Sequence, residues 1–533
     1  MTALIEQGTL LLGDEAIAQA ALDAGLSGAY GYPGTPSTEI IEYIQKAPEA
    51  LAGNVHREWS ANEKTAMEEA LGMSYCGLRS MVTMKHVGLN VASDAFVNSA
   101  ITGVNGGMLV VVADDPSMHS SQNEQDSRYY ARFAHVPLLE PASQQEAYDM
   151  TYAAFKMSEE LALPVMLRLT TRLAHSRAEV RRQPVLPKGK VVFPTNKRQF
   201  ILLPANARRN YVALLDKQVR LRSLSLESTW NESYDGTDKS CGIIVAGVAF
   251  NYLKEIYGGT QFPHPVVRVS QYPVPGEMIT RLARECDELL VIEEGYPFIE
   301  EMLRGIVDMG LKVRGRLSGA LPRTGELSPD SVGAALGFDT AAHFSVPDVV
   351  AMRPPSLCKG CPHTDSYLFL NKALENRAMS RVFSDIGCYT LGALPPFDAI
   401  NSCVDMGASI TMAKGAADAG VRPVVAVIGD STFTHSGITG LLDAIYENSP
   451  ITVLILDNEA TAMTGAQDSI ATGRLERLVL GLGVDPEHFH VVTPLKNQHE
   501  KNVEVLEREL AHEGTSVIIS KRVCIQATKR NRG

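Results

Sequence analysis

The sequence predicts a multidomain α/β protein whose cores are doubly wound parallel sheets. Short apolar runs alternate with segments of helical periodicity, the pattern of strands joined by covering helices. The 43 glycines suit the many tight turns that such alternation requires. With 533 residues, 45% of them hydrophobic, the chain can build about three domains at roughly 150 residues each.

Composition narrows the class of protein. A net charge of −12 and a pI near 5.6 argue against nucleic acid and anionic membranes as partners. No apolar run approaches the ~20 residues of a membrane span, and the N-terminal residues lack the basic start of a signal peptide. We therefore expect a cytoplasmic protein, in which eight cysteines are free thiols or metal ligands rather than disulfides.

The first predicted domain covers residues 1–175. Residues 13–30 have the periodicity of a helix, and GYPGTPSTE then predicts a turn into a second helix capped by Thr35 or Ser37. Residues 86–103 are predicted as a loop that opens a helix. The parallel strands of this domain are predicted at 81–85, 107–115 and 164–170.

The rest of the chain divides into three parts. Residues 176–237 are basic and irregular, which predicts a connecting segment with a helix in its middle. A second α/β domain is predicted at 238–345 and a third at 346–533. The third has the strongest strands, which are predicted at 423–430 and 451–458.

Two polar residues follow these strands, 28 positions apart. Asp430 and Asn458 flank a predicted helix, so both should emerge at the carboxyl edge of one parallel sheet, where such sheets bind ligands. A carboxylate, an amide oxygen and the carbonyl of Ala460 are suitable ligands for Mg²⁺. The small residues Gly429 and Ser431, before a helix N-terminus, would admit a phosphate. Ordinary helix capping would explain a lone Gly-Asp, but the whole spacing resembles the GDG…NN motif of thiamine-diphosphate enzymes.

Three further segments resemble the 2-oxoacid:ferredoxin oxidoreductase family, in particular its indolepyruvate branch: WSANEKTAMEEALG, GYPGTPSTE and TMKHVGLNVASD. The resemblance implies that Glu63 faces N1′ of the aminopyrimidine ring, although on residues alone an exposed charge at a helix start is the better interpretation. It implies that Thr35 lies near the substrate carboxylate. Lys85, His86 and Asn90 would lie at the cofactor face, with His86 as an electrostatic partner of a carboxylate.

Four cysteines form a candidate metal site: Cys358 and Cys361 in a C-x₂-C turn, then Cys388, and finally Cys524 after a strand. Spacing alone favours zinc or no metal. The family resemblance instead implies one proximal 4Fe–4S cluster with these four ligands. The remaining cysteines are predicted to be small buried apolar residues: Cys76, Cys241, Cys286 and Cys403.

The resemblance covers nearly the whole chain, as a transketolase-like thiamine-diphosphate fold. It assigns a pyrimidine-binding domain to 1–175, a transketolase-C-terminal-like domain to 238–345 and a diphosphate-binding domain to 346–533. Gly387 and Gly407 are further candidates for cofactor contact. The pair Glu293–Glu294 matches the pattern of the second domain, although a solvated strand end would explain it equally.

The reaction implied by the resemblance is oxidative decarboxylation of an arylpyruvate with coenzyme A, giving an aryl-acetyl-CoA, CO₂ and reduced ferredoxin. Expected partners are a smaller beta subunit with a gamma-like domain, in a dimer of heterodimers, and ferredoxin or another electron carrier. The sequence departs from the family pattern because it has no C-x₂-C-x₂-C-x₃-C-P run. A separate polypeptide would then relay electrons, or the acceptor would dock near the proximal cluster. Two alternatives remain: a non-oxidative decarboxylase and a non-catalytic scaffold subunit.

Overall fold

The computed structural model describes residues 8–194, 196, 198–305, 310–339, 347, 349–351 and 355–530. The chain folds as two compact units, residues 1–344 and 345–533. Among the described residues, no helix is both long enough and apolar enough to cross a lipid bilayer.

The strands of the first unit follow one another along the chain as β1 (Thr9–Leu12), β2 (Gly28–Gly31), β3 (His56–Trp59), β4 (Ser80–Lys85), β5 (Met108–Asp114), β6 (Leu138–Leu139), β7 (Val165–Thr170), β8 (Arg177–Val180), β9 (Glu232–Tyr234), β10 (Gly242–Ala246), β11 (Val266–Val269), β12 (Gln271–Tyr272), β13 (Glu288–Ile292) and β14 (Lys312–Arg314). Its helices are α1 (Gly13–Asp23), α2 (Thr38–Lys46), α3 (Pro48–Ala52), α4 (Glu63–Tyr75), α5 (His86–Thr102), α6 (Arg128–Ala134), α7 (Gln144–Leu161), α8 (Thr171–Ala174), α9 (Pro204–Leu226), α10 (Ala249–Tyr257), α11 (Gly276–Glu285), α12 (Phe298–Arg304) and α13 (Pro329–Ala335).

The larger sheet of this unit has the order β12-β6-β7-β5-β4-β2-β3 and is parallel except for β12. Strand β5 is buried along its length, and its side chains alternate between two cores. Leu109 and Val111 pack with α1, α2 and α7, whereas Val110 and Val112 pack with α4 and α5. Helices on both faces explain the continuous apolar strands, and the predicted doubly wound fold is confirmed.

A second sheet of the first unit has the order β14-β13-β10-β11-β9, with β9 antiparallel to β11. Strands β11 and β12 are separated only by Ser270, yet β12 pairs with β6 of the larger sheet. The chain therefore passes directly from one sheet to the other. In the predicted connecting segment, β8 pairs with β1, α9 follows, and β9 joins the edge of the second sheet. The predicted boundaries within this unit remain predictions.

The second unit contains one six-stranded parallel sheet and a small antiparallel pair. Its strands are β15 (Arg381–Ser384), β16 (Ser402–Cys403), β17 (Val424–Gly429), β18 (Thr452–Asp457), β19 (Ala460–Thr461), β20 (Gln467–Asp468), β21 (Phe489–Val492) and β22 (Ser516–Lys521). Its helices are α14 (Pro362–Leu374), α15 (Ala408–Asp418), α16 (Asp430–Thr432), α17 (Ile438–Tyr446), α18 (Leu475–Gly481), α19 (His499–Leu510) and α20 (Ile525–Arg530). The parallel sheet has the order β16-β15-β17-β18-β22-β21.

Two local predictions were wrong, and a third, the capping of α2, was right only in the position of Ser37. The helix predicted for 13–30 ends at Asp23, because Gly25 adopts a φ of +74° and β2 follows. The loop predicted from residue 86 is the start of α5, where burial of apolar side chains outweighs the weak helical tendency of the segment. Ser37 precedes α2 but caps it with no side-chain hydrogen bond, since its hydroxyl donates to the Gly34 carbonyl (2.8 Å).

Candidate functional site

In the second unit, Asp430 stands at the carboxyl end of β17 and begins α16. Its carboxylate is buried, and Oδ2 has no hydrogen-bond partner among the described residues. Burial, and then the charge of Asp457, raise the pKa of Asp430 to about 7. A buried carboxylate oxygen without a partner is costly unless a cation or a proton compensates it. The residue therefore fits the role of a Mg²⁺ ligand, because the ion would supply the positive charge that the carboxylate lacks.

Asn458 directly follows the neighbouring strand β18, and Ala460 begins the short strand β19. The Asn458 side-chain nitrogen lies 3.1 Å from Nε2 of His363, and burial lowers the pKa of that histidine to about 4, so the neutral ring accepts the bond. The amide oxygen accepts from the Ala460 backbone nitrogen (3.2 Å) and keeps a second lone pair. Nearby, the hydroxyls of Ser431 and Thr461 lie 2.8 Å apart and link the two strand ends.

Glycines let three backbone segments approach at this edge of the sheet. A Cβ added at Gly387 would overlap the Tyr389 ring, and one at Gly429 would lie 2.5 Å from the same ring. Gly407 has a φ of +94°, and its backbone nitrogen donates to Asp385 (3.2 Å). The Tyr389 hydroxyl also donates to Asp385, so this buried carboxylate holds two of the segments together. Larger residues at Gly387 and Gly429 would displace the Tyr389 ring, and one at Gly407 would overlap Ser436.

The four candidate cysteine ligands influence one another. Burial, and then the charges of Cys361, Cys524 and Cys358, together raise the pKa of the Cys388 thiol to about 12. Burial also raises the pKa of Cys361, again with contributions from Cys358 and Cys524, whereas the backbone of His363 lowers it. The fold has therefore gathered four thiols that are separated by up to 166 positions, although charge repulsion opposes their ionisation in the absence of a metal.

Backbone and side-chain bonds tie these cysteines to the loop after β18. The Cys524 nitrogen donates to the Asn458 carbonyl (2.9 Å), and its side chain packs against Ala460 and Ala466. Arg522 donates to the carbonyl of Gly360 in the C-x₂-C turn (3.0 Å). The thiol cluster and the candidate Mg²⁺ ligands thus belong to one region of the second unit.

The burial of the other four cysteines agrees with the prediction only in part. Cys241 and Cys286 are buried, as predicted, and Cys76 is half-buried. The prediction was wrong for Cys403, which is exposed because β16 is the edge strand of its sheet.

In the first unit, Glu63 is the first residue of α4, and Asn62 caps the helix by accepting from the Thr65 nitrogen (2.8 Å). Glu63 is only 5% exposed. Its side chain lies against Gly88 of α5, where an added Cβ would be 2.5 Å from the Glu63 carboxylate. The exposed charge favoured by the residues alone is therefore wrong, and Gly88 within a helix was the signal that a neighbour needed this space.

Lys85 ends β4 and His86 begins α5, beside Glu63. Burial lowers the pKa of Lys85, while the charges of Asp115 and Glu63 act in the opposite direction. The Lys85 ammonium donates to the Ser120 carbonyl (3.1 Å). His86 is buried; Nε2 lies 3.1 Å from the carbonyl oxygen at position 123, and Nδ1 has no partner among the described residues.

Thr35 and Asn90 complete the predicted residues of this unit. The Thr35 carbonyl accepts a hydrogen bond from the Ser120 hydroxyl (3.3 Å). Lys85 donates to the carbonyl of the same residue, so Ser120 contacts both the Thr35 turn and Lys85. Asn90 lies one turn further along α5 and accepts from the Tyr130 hydroxyl (2.5 Å). Thr35, Glu63, Lys85 and His86 therefore lie around the carboxyl ends of β2 and β4, with Asn90 next to them.

Sequence reasoning missed the loop at 115–123, which contacts this site. Asp115 fixes the loop by accepting from the Ser120 nitrogen (2.8 Å), the Ser121 hydroxyl (2.7 Å) and the Thr171 hydroxyl (2.7 Å). The polar composition of the loop resembles that of any surface loop, and only the acidic pair Asp114–Asp115 at the end of β5 indicated a role.

A buried ionic network was also missed. Arg128 pairs with Asp126 (2.5 Å) and Glu293 (2.7 Å), and Arg168 pairs with Asp114 and Glu140. Glu293 and Glu294 are both 1% exposed, so the solvated strand end considered above is wrong. An arginine in the middle of an apolar strand, as in PVMLRLT, was the available signal.

Known proteins are similar to this chain over most of its length. A family model described as "Pyruvate flavodoxin/ferredoxin oxidoreductase, thiamine diP-bdg" matches residues 19–200, and "Thiamine pyrophosphate enzyme, C-terminal TPP binding domain" matches 385–519. Indolepyruvate oxidoreductase subunit IorA of Archaeoglobus fulgidus is 38% identical, over 96% of this chain and 86% of the relative. The same subunit of Methanothermobacter thermautotrophicus is also 38% identical, over 98% and 88%.

A solved structure shares the fold. It is the 2-oxoglutarate:ferredoxin oxidoreductase from Magnetococcus marinus with 2-oxoglutarate, coenzyme A and succinyl-CoA bound. The TM-score is 0.50 at 15% identity, and the match covers 62% of this chain and 65% of that one.

Proposed function

The chain belongs to the 2-oxoacid:ferredoxin oxidoreductase family, as an alpha subunit of the indolepyruvate oxidoreductase type, and from this premise we propose its reaction. An arylpyruvate, coenzyme A and two oxidised ferredoxins give an aryl-acetyl-CoA, CO₂, two reduced ferredoxins and a proton. The aryl side chain rests on the names of the curated relatives, and coenzyme A on the ligands of the solved family structure. The single observation that carries the proposal is the buried Asp430 Oδ2, which has no hydrogen-bond partner among the described residues, in the same unit that gathers the four thiols.

The thiamine-diphosphate-binding domains require a metal and a phosphate cradle. We assign Mg²⁺ to Asp430, Asn458 and the carbonyl of Ala460, which offer the hard oxygen ligands that this ion prefers. Gly429 and Ser431 precede a helix N-terminus, where a diphosphate anion is favoured. Gly387 and Gly407 extend the same cradle, since their backbone lies close to these segments.

The residues of the first unit would prepare the reacting groups. When bound, thiamine diphosphate supplies the carbon nucleophile that adds to the 2-oxo group and retains the electron pair when CO₂ leaves. Glu63 would hold a proton at N1′ of the pyrimidine, a task that suits a carboxylate in a buried site. Lys85 and Thr35 would bind the substrate carboxylate, with His86 beside them and Asn90 orienting the substrate.

For the electron acceptor we propose one 4Fe–4S cluster on Cys358, Cys361, Cys388 and Cys524. Tetrahedral zinc at ~2.3 Å from each sulfur would bring the sulfurs to about 3.8 Å from one another. Among the described residues, however, no three cysteine sulfurs all lie within 4.8 Å of one another. The wider spacing favours a cluster, which places iron atoms between the ligands.

We further propose a partner subunit with a gamma-like domain, in a dimer of heterodimers, and a ferredoxin or another carrier as the acceptor. The curated relatives are themselves named as subunits, which supports a multi-subunit enzyme.

The test is anaerobic purification of the chain with its co-expressed partner, followed by iron analysis and an arylpyruvate assay. The protein should be brown, contain about four irons per chain and reduce a ferredoxin only when arylpyruvate and coenzyme A are both present. Cys524→Ser should lose the iron signal and the reductase activity together, whereas the exposed-cysteine control Cys403→Ser should keep both. Colourless protein with one zinc, or CO₂ release without acceptor reduction, would identify a non-oxidative decarboxylase instead.

A further inference from the structure

A second cluster of candidate metal ligands lies in the first unit, and none of its residues is among those assigned above. Asp14, Glu39 and His175 each offer one ligand atom, and the three atoms all lie within 4.8 Å of one another. They come from three different elements. Asp14 is the second residue of α1, Glu39 is the second residue of α2, and His175 directly follows α8.

The backbone has been shaped to bring these residues together. Gly13 begins α1 and lies against the end of α8, and a Cβ at this position would overlap the carbonyl of Leu173. A side chain there would therefore separate Asp14 from His175. Because Gly13 has none, α8 can end directly beside the start of α1.

Asp14 has the environment of a ligand without its ion. It is fully buried, and both of its carboxylate oxygens lack a hydrogen-bond donor among the described residues. An acid in the first turn of a helix is usually favourable because of the helix dipole, but here no backbone N–H reaches the carboxylate. The group that it faces is Glu39, another acid, and this proximity together with burial raises the pKa of Asp14 well above its ordinary value.

The distance between the other two residues also fits a shared ion. His175 Nε2 lies 3.7 Å from the Glu39 carboxylate, which is too far for a hydrogen bond. Two ligands of one tetrahedral ion, each about 2.0–2.1 Å from it, lie about 3.4 Å apart. The Glu39 and His175 side chains are 38% and 37% exposed, so an ion could enter from solvent while Asp14 closes the inner side.

We propose that Asp14, Glu39 and His175 bind a divalent transition-metal ion of the zinc class, independently of the thiamine-diphosphate site. One imidazole and two carboxylates form a mixed nitrogen–oxygen set that suits such ions, with solvent available for a fourth position. The ion would neutralise the buried acid and connect the starts of α1 and α2. Since α2 begins three residues after Thr35, the site would also brace the turn that carries Thr35.

The test uses Co²⁺ as a spectroscopic probe, added anaerobically to the full chain. Wild-type protein and Asp14→Asn contain the same cysteines, so their difference spectrum isolates this site from Co²⁺ bound by thiolates. We expect the difference to show ligand-field bands of a nitrogen–oxygen site without thiolate charge transfer. Asp14→Asn should bind one Co²⁺ fewer per chain at a concentration that saturates wild type, because its affinity at this site falls by at least about 100-fold.

Two more variants keep the test decisive. His175→Gln removes a half-exposed ligand and should give the same loss even if Asp14→Asn folds poorly. Glu42→Gln lies one turn beyond Glu39 on α2 and should bind like wild type. Equal Co²⁺ stoichiometry in wild type, Asp14→Asn and His175→Gln would overturn the proposal, and would leave Asp14 and Glu39 as two acids that share a proton.

Discussion

The carboxyl edges of the two largest parallel sheets both hold buried acids, in opposite electrostatic settings. In the first unit, Glu63 lies within the influence of Lys85, and Asp114 at the end of β5 is paired with the buried Arg168. In the second unit, no cation of the described chain pairs with Asp430, and Lys521 reaches Asp457 only at 3.9 Å. The first site thus supplies its own positive charge, whereas no cation of the described chain pairs with Asp430 in the second.

This difference fits the chemistry proposed for each unit. A site that controls protons and a substrate carboxylate benefits from fixed charges of the protein, because their positions do not depend on a ligand. A site that binds a diphosphate benefits from an exchangeable Mg²⁺, which compensates protein and ligand anions together. Substitutions in the first unit should therefore impair turnover, whereas substitutions in the second unit should impair cofactor binding.

The largest effect is expected for Asp430→Ala. Without this carboxylate the Mg²⁺ loses its charged ligand, so thiamine-diphosphate affinity should fall by at least about 1,000-fold and activity should be lost. Calorimetric titration with thiamine diphosphate and Mg²⁺ measures the affinity, and circular dichroism checks the fold. Asp443→Asn, at an exposed acid on α17, is the control. If Asp430→Ala bound the cofactor like wild type, residues other than Asp430 would bind the Mg²⁺.

Glu63→Gln should instead impair turnover without loss of the cofactor. The amide keeps the size of the side chain but cannot hold a proton at the pyrimidine, so kcat should fall by about 10²–10⁴-fold while the cofactor stays bound. The matched control is Glu68→Gln, on the exposed side of the same helix. Steady-state turnover and cofactor titration on one preparation separate the two effects. Normal turnover would assign the pyrimidine to a different carboxylate.

Lys85→Gln tests whether the first site uses its own cation for the substrate. Loss of the ammonium should raise KM for the 2-oxoacid and lower kcat/KM by about 10–100-fold, which corresponds to one charge-assisted hydrogen bond. The affinity for thiamine diphosphate should not change. Lys188→Gln, at an exposed lysine of the same unit, is the control. If KM stays constant and kcat alone falls, Lys85 does not bind the substrate carboxylate.

Sequence patterns predicted the regular part of this molecule well. Continuous apolar strands such as β5 and β17 can only be buried on both faces, and this fixed the doubly wound architecture. The βαβ spacing likewise placed Asp430 and Asn458 at one sheet edge, where the structure has them.

The features that the sequence did not predict depend on contacts between residues that are distant along the chain. Arg128 and Glu293 are 165 residues apart, and their ion pair has no local signature in the sequence. The loop at 115–123 became part of the first site only through contacts with Lys85 and Thr35, on other elements. Such placements arise from tertiary packing, which neither spacing nor periodicity encodes.

The smallest expected effect is a pH dependence of local opening in the second unit. It concerns Asp385, the acid that holds the glycine-containing segments together. Burial raises its pKa to about 6, although Ser409, Tyr389 and the Gly407 nitrogen donate to it. Its charge also acts on Cys403 and Tyr367, so these groups face the same acid. Asp385 has no cation partner among the described residues, and in this respect it resembles Asp430 rather than Glu63.

The sign of the pH dependence follows from this raised value. Between pH 4 and 6 the folded state binds the Asp385 proton more tightly than the unfolded state, so the stabilisation is complete below about pH 4 and is lost as the pH rises through 6. Local opening should become easier by at most about tenfold per pH unit across this window. Hydrogen–deuterium exchange of peptides from 381–393, corrected for intrinsic rates, would measure it. The slope should disappear in Asp385→Asn, and an unchanged slope in that variant would assign the titration to a different group.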